Sequence, residues 1–318
     1  MSILITGING QDGRIIANRY VAVGENVYGI GRGMVSFPES KSQQYKHLKI
    51  SDPRLFREFL DDVQPRHIFH LAASHASSAG MQLHGKNAEL EMFSVHVGAT
   101  RTILDWQKEN SRMDTKLVVA LSSQMFTAHE NPTWVDEGTP LSPSSKYGET
   151  KAQAYKLVRH YRKEYNVHAS GAILFNHSSQ FSKPEFVLIQ IAQQIVAVLS
   201  GTTDKILLRS FNVELDISSA EEICSALLEM VKLESPEDFV IASGKSTNLN
   251  ELTLECLKYY KLLGKVELIS TNPTQILQKT LLGNAKKASA KLNWRTSQNS
   301  VALLIEIVDS LKGSNLHD

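Results

Sequence analysis

The 318-residue chain has only two cysteines, Cys224 and Cys256, and their separation fits no metal-ligand pattern. Both fall in helical patterns and are expected as small core residues in a reducing compartment. A surplus of charge is missing too: 34 Lys and Arg stand against 33 Asp and Glu, a formal net charge of +1. With no basic block, that balance argues against a nucleic-acid or acidic-membrane surface. No apolar run approaches the roughly 18 residues of a membrane span. The opening Met1-Ser2-Ile3-Leu4-Ile5-Thr6-Gly7 lacks a charged and an apolar leader region, so no signal peptide is expected and the expected location is cytoplasmic. Internal repeats and low-complexity blocks are absent. The eleven histidines show neither HxH nor HxxxH spacing, and no metal site is expected.

What is present is an alternation of short apolar strands and amphipathic helices. Ile3–Ile5 reads as a strand, followed by a helix to about Val23, a second strand at Asn26–Ile30 and a third near His47–Ile50. Asp52 caps a helix to Val63, His67–Leu71 is a fourth strand, and a long helix runs over 87–110. Lys116–Leu121 is a fifth strand. Such βαβ alternation predicts an α/β fold, a doubly wound parallel sheet with helices on both faces. Beyond it, helices are expected over 185–200, 220–232, 246–263 and 301–311, with strands at Ile206–Leu208, Phe239–Ile241 and Val266–Ile269. Phe186, Ile189, Ala192, Gln193 and Val196 are expected on the packed face of the first of these helices. The polar tail from Lys312 is expected to fray.

The first turn, Gly7-Ile8-Asn9-Gly10-Gln11-Asp12-Gly13, follows a strand and opens a helix. That context turns a weak glycine triplet into a candidate dinucleotide cradle, in which backbone and pyrophosphate approach the helix N-terminus closely. The second strand ends at Gly31-Arg32-Gly33. An acid there would take a ribose 2′-hydroxyl, whereas Arg32 suits a 2′-phosphate and favours NADP, with NAD the alternative. Leu71-Ala72-Ala73-Ser74-His75 leaves the fourth strand at its carboxyl end, where open α/β sheets bind ligands.

Ser122-Ser123-Gln124 leaves the fifth strand in the same way, and Ser144–Lys151 opens a long helix expected to run to Tyr165. Tyr147 and Lys151 are i and i+4 on its face. A tyrosine hydroxyl titrates near 10; a neighbouring ammonium is expected to move it down, toward the range useful for proton transfer. Ser122 would hold a substrate oxygen, Tyr147 exchange its proton, and Lys151 bind the nicotinamide ribose. These are the parts of a hydride-transfer site.

With Thr6-Gly7-Ile8-Asn9-Gly10-Gln11-Asp12-Gly13, Gly171–His177, Glu237–Gly244 and Lys291-Leu292-Asn293-Trp294 in view, the chain resembles an extended short-chain dehydrogenase/reductase of the GDP-mannose 4,6-dehydratase branch. The resemblance implies an NADP-binding Rossmann domain over 1–175, taking in about 211–245. It also implies a smaller, discontinuous substrate domain over 176–318. Asn176 is implied to contact a nucleotide sugar, with His75, Ser123, Gln124, Lys183, Arg209 and Asp216 as further substrate-side candidates. A homodimer is implied through helices 87–110 and 144–165, with Ile103, Trp106, Tyr155 and Val158 as interface residues. A tetramer would use the loop bearing Arg32, Ser36, Phe37 and Lys41.

Departures from the pattern alter the expected chemistry. Where the dehydratases carry a glutamate that removes the sugar C5 proton, this chain has Gln124, whose amide is no base. Family arginines are missing from His177–Lys183, Glu214–Ile217 and Asn272–Gln275, leaving Lys183 and Arg209 for a diphosphate. The expected function is therefore NADP-dependent hydride transfer at C4 of a nucleotide-linked sugar, with GDP the expected nucleotide and 4-keto reduction the simplest form. A dehydratase with a surrogate base such as His75 or His96, and a non-catalytic NADP-binding subunit, stay open as alternatives.

Overall fold

The computed structural model describes residues 1–32, 43–74, 86–110, 114–130, 133–272 and 280–314. The chain runs β1 (Ser2–Thr6), α1 (Gln11–Ala22), β2 (Asn26–Gly31), β3 (Gln43–His47), α2 (Pro53–Val63), β4 (His67–His70), α3 (Lys86–Phe93), α4 (Ala99–Glu109), β5 (Lys116–Ala120), β6 (Thr133–Val135), α5 (Lys146–Tyr165), β7 (Ala169–Leu174) and β8 (Asn176–Ser178). It continues through α6 (Val187–Leu199), β9 (Lys205–Leu208), β10 (Glu214–Ser219), α7 (Ala220–Met230), β11 (Phe239–Ile241), β12 (Ser246–Asn248), α8 (Leu249–Tyr259), β13 (Glu267–Ser270), β14 (Leu281–Gly283), α9 (Lys286–Leu292) and α10 (Ser300–Ser314). None of the described helices is long and apolar enough to cross a membrane.

Seven parallel strands form the main sheet in the order β11-β7-β5-β4-β1-β2-β3. Strand side chains alternate between faces, so an unbroken apolar run feeds two cores at once. Leu4, Ile68, Leu117 and Val119 point to one side, against Phe56 and Leu60 of α2, Ile103 and Trp106 of α4 and Val158 of α5. Ile3, Ile5, Phe69 and Val118 point to the other, against Ile15 and Ile16 of α1, Ile223 and Leu227 of α7 and Ala288 and Leu292 of α9. This is the doubly wound α/β sheet expected from the alternation. A third core gathers α6, α8 and α10 over β9 and Ile217 of β10.

Local chemistry sets the boundaries. Asp52 caps α2 by accepting from the N–H groups of Arg54 and Leu55, with Pro53 at the first helical position. β3 lies four residues earlier than expected, on the polar run Gln43–His47. As an edge strand it needs backbone pairing with β2 and the packing of Tyr45, not an apolar face. The long helix expected over 87–110 is broken by a π-helical turn at Ser94–Gly98. In α6 the buried face is Leu188, Ile189, Ile191, Ala192, Ile195 and Val196, while Gln193 and Phe186 are exposed.

Two expectations are overturned by burial. Ile103, Trp106, Tyr155 and Val158 are at most 3% exposed and fill the chain's own core, so they cannot line a dimer interface. Asp216 is fully buried and does not touch the candidate cavity. Its carboxylate accepts from the N–H groups of Ser243, Gly244 and Gly283 and from the Ser243 hydroxyl. It thereby pins β10 to the turn after β11 and to β14. Asp216 is a structural acceptor, not a substrate ligand. Asp216→Ala, which strands three backbone donors in the interior, is expected to cost about 3 kcal/mol in urea unfolding; a loss below about 1 kcal/mol would contradict this role.

Candidate active site

The carboxyl ends of β1, β4, β5 and β7 open on one cavity. Gly7, Gly10, Gln11, Asp12 and Gly13 line it from the α1 turn, and Leu71 and Ala73 from the end of β4. Ser122, Ser123 and Gln124 face it from the end of β5, Tyr147 and Lys151 from α5, and Asn176, His177 and Lys183 from beyond β7. Gly7 has φ +77, and a Cβ there would lie 2.8 Å from the Ala72 nitrogen; one on Gly13 would lie 2.5 Å from the Gly7 carbonyl oxygen. The turn is therefore compact because only glycine fits, and it presents the open backbone of the helix N-terminus to the cavity.

Asn9 closes that turn onto β2 by donating from Nδ2 to the Arg32 carbonyl at 2.8 Å. Neither Asn9 nor Arg32 lines the cavity. Arg32 is exposed beyond β2, 3.1 Å from Glu91. Ala72 and Ser74 are also set back from it: the Ala72 N–H meets the Thr6 hydroxyl, and the buried Ser74 donates its N–H to His96. His75, Ser36, Phe37 and Lys41 lie outside the described residues. Arg209 is exposed after β9 and is not among the cavity's lining residues, contrary to the expectation that it serves the substrate. Lys183 does line it, 3.9 Å from Glu185.

Ser122, Tyr147 and Lys151 do come together. Ser122 caps a 3-10 turn over Ser123–Met125 by accepting from the Gln124 N–H at 3.2 Å, and its hydroxyl bonds the Tyr147 phenol. Ser145 caps α5 by accepting from the Gly148 N–H at 3.1 Å and donates to the Gln124 side-chain oxygen at 3.4 Å. A Cβ on Gly148 would fall 2.1 Å from the Gln124 carbonyl; glycine lets α5 dock against the β5 end. Lys151 is 4% exposed, and its ammonium donates to the Ala120 carbonyl at 2.8 Å.

The electrostatics reverse one expectation. Burial pushes the Tyr147 hydroxyl up from its ordinary value, Ser122 pulls it partly back, and the negative charge of Asp12 pushes it further up. The Lys151 ammonium does not produce the expected lowering. Its nitrogen is 5.8 Å from the ring centroid and directed at Ala120, and burial pushes Lys151 itself down to about 7. Tyr147 is consequently a phenol at neutral pH, suited to give a proton.

Three histidines bear on the site in ways their spacing did not disclose. The π-helical turn swings His96 inward, where Nε2 accepts from the Ser74 N–H at 3.1 Å and Nδ1 meets the Thr150 hydroxyl at 2.8 Å. Its ring stands edge-on to Tyr147 at 5.2 Å. With both nitrogens engaged it buttresses Tyr147 and cannot act as the surrogate base. His70 is buried at the end of β4 with Nδ1 on the Thr6 hydroxyl; burial and the nearby Lys151 push it down to about 3, so it is neutral. His177 pairs with Asp12 at 3.0 Å, a contact across 165 residues that no local pattern could indicate.

The comparisons with known proteins agree with this architecture. The family model for GDP-mannose 4,6 dehydratase matches residues 4–306. The chain is 28% identical to the GDP-mannose 4,6 dehydratase of Cricetulus griseus, over 96% of this chain and 90% of that one. Among solved structures it resembles the dTDP-glucose 4,6-dehydratase of Bacillus anthracis in complex with NAD, with a TM-score of 0.83, 17% identity and 99% and 98% of the two chains covered. It also resembles RMD from Pseudomonas aeruginosa complexed with NADPH, with a TM-score of 0.77, 15% identity and 98% and 99% covered. Given a family model that spans almost the whole chain, on a doubly wound sheet whose strand ends gather Ser122, Tyr147 and Lys151, the chain belongs to the GDP-mannose 4,6-dehydratase family.

Proposed function

We propose that the chain is an NADP-dependent oxidoreductase that transfers hydride at C4 of a nucleotide-linked sugar, working as a 4-keto-sugar reductase. One observation carries this reading against that of a dehydratase. Among the described residues lining the cavity the sole carboxylate is Asp12, and it is held by His177. Where the dehydratase pattern places its glutamate stands Gln124, whose side-chain oxygen accepts from Ser145. Removal of a carbon-bound proton needs a base at that place; reduction of a ketone does not.

Gly7, Gly10 and Gly13 of the glycine turn would hold a nicotinamide dinucleotide, which would supply the hydride when bound. That turn, with Leu71 and Ala73 beside it, offers the cavity the backbone of a helix N-terminus at Gly7, Gly10 and Gly13, which fits a pyrophosphate. Arg32, at the end of β2, is the basis for NADP over NAD. Ser122 holds the C4 oxygen through its hydroxyl, and Tyr147 passes its proton to that oxygen as the alkoxide develops. The raised pKa of Tyr147 keeps the proton in place until then, which supports the reducing direction. The Lys151 ammonium, fixed on Ala120, steadies the negative charge that Tyr147 acquires. Asn176, with its amide on the Asp216 carbonyl at 3.3 Å, and Lys183 face the sugar and phosphate side. Helix α6 begins just beyond, with Val187 and Leu188 closing the apolar wall.

Incubation with NADPH and a 4-keto nucleotide sugar in deuterium oxide is expected to consume one NADPH per sugar reduced, with no deuterium at C5 by NMR. Deuterium at C5 in the wild type would establish a dehydratase-type base and overturn the reading. Tyr147→Phe is expected to lower kcat by about 10²–10⁴-fold while NADPH affinity stays within about threefold. Lys151 is charged below about 7 and loses its proton above. The kcat/KM for reduction should therefore be level on the acid side and fall as pH rises through about 7. Lys151→Arg, charged throughout, should lack that break.

A further inference from the structure

The first turn of α1 and the segment after β8 are tied together by side chains that the proton and hydride steps do not use. Gln11 Oε1 accepts from the hydroxyls of Ser179, at 3.0 Å, and Ser182. Gln11 Nε2 donates to Asp12 Oδ1 at 3.1 Å. The Asp12 carboxylate in turn receives His177 Nε2 at 3.1 and 3.0 Å, and His177 Nδ1 lies 2.7 Å from the Phe175 carbonyl oxygen. A carbonyl and a carboxylate can only accept. Both ring nitrogens must then carry hydrogen, so the geometry makes His177 an imidazolium. Burial opposes its charge, but the Asp12 carboxylate outweighs burial and the histidine's pKa stands above the ordinary value.

The position of Asp12 gives the pair its meaning. It is the acidic residue in the first turn of α1, between Gly10 and Gly13, at the end of the helix that attracts anions. A bare carboxylate there would repel the diphosphate the turn is shaped to receive. We propose that His177 is a charge-cancelling positioning residue: it neutralises Asp12 so that the α1 turn admits an anionic dinucleotide, and anchors that turn to the segment carrying Asn176 and Lys183. This rests on the reading that the cavity takes a nicotinamide dinucleotide. Around the pair, Asp12 comes from α1, the Phe175 carbonyl from the β7–β8 junction, and the Cys224 thiol of α7 faces the Asp12 carbonyl at 3.7 Å. Burial pushes that thiol up and keeps it neutral, while Tyr147 of α5 feels the Asp12 charge as a neutral phenol. Asp12 is the charged partner.

A double-mutant cycle on the full chain, with NADPH and NADH binding measured by calorimetry at pH 7.5, tests the proposal through its sign. His177→Gln leaves the carboxylate uncancelled and is expected to weaken binding about tenfold or more. Asp12→Asn is expected to bind within about threefold of wild type or tighter. The Asp12→Asn/His177→Gln double variant should return to within about threefold of wild type, a rescue that a purely structural contact would not give. A double variant as weak as His177→Gln overturns the proposal. Should His177→Gln fail to fold by circular dichroism, Asp12→Asn decides: binding tenfold weaker than wild type overturns the proposal. In either case, ¹⁵N NMR of the wild type must show both His177 ring nitrogens protonated, and a neutral tautomer overturns the proposal. Wild-type protein that binds neither dinucleotide overturns the cofactor reading along with it, whereas binding without rescue overturns only the charge-cancelling role.

Discussion

The hydrogen bond from the buried Lys151 ammonium to the Ala120 carbonyl joins the first turns of α5 to the end of β5, and the candidate site depends on it. Ala120 is the last residue of its strand, and Ser122 follows two residues later. With Lys151 fixed there, its neighbour one helical turn earlier, Tyr147, meets the Ser122 hydroxyl. An ammonium with so little solvent costs free energy, and the cost shows as the fall of its pKa to about 7. The surroundings accept that cost because they are over-determined. Gly148 presses on the Gln124 carbonyl, Ser145 caps the helix, and His96 wedges between Ser74 and Thr150. The π-helical turn that delivers His96 is a local departure from regular geometry of the kind that gathers at functional sites.

Around that bond the doubly wound sheet does what its topology allows. Its strands all point their carboxyl ends at one crevice, and the chain leaves the sheet there to form β8, which pairs with β10. β8 starts one residue after the Phe175 that follows β7 and pairs with β10 outside the main sheet. Asn176 is therefore placed where the chain crosses from the main sheet to the three-stranded one by its pairing with Ile217. Asp216 secures the same crossing from beneath by gathering donors from the β11–β12 turn and from β14.

Much of this was legible in the sequence, for identifiable reasons. The apolar runs of β1, β4 and β5, the Asp52-Pro53 start of α2 and the opening of α5 within Ser144–Lys151 are local signals, and each fell where the residues indicated. The Ser122, Tyr147 and Lys151 grouping follows from helix spacing plus a strand end. What failed was non-local. Asp216 looks like a polar cavity residue until its four donors, from 27, 28 and 67 residues away, are seen. Trp106 and Tyr155 look like interface aromatics until the core that consumes them is assembled. The edge strand β3 carries no apolar alternation because it has no buried face on its outer side. The expected depression of the Tyr147 pKa rested on the charge of Lys151, whereas burial of the phenol itself dominates and raises it.

The central claim is that the crevice hands a hydride from a dinucleotide to a sugar carbon. The most direct measurement is the fate of label from stereospecifically [4-²H]-labelled NADPH, followed by NMR of the sugar product from a 4-keto nucleotide sugar. The account predicts deuterium on sugar C4, with one configuration of the cofactor label transferred and the other retained. Label that remains entirely on the dinucleotide, or that emerges at C6 of the sugar, would contradict it.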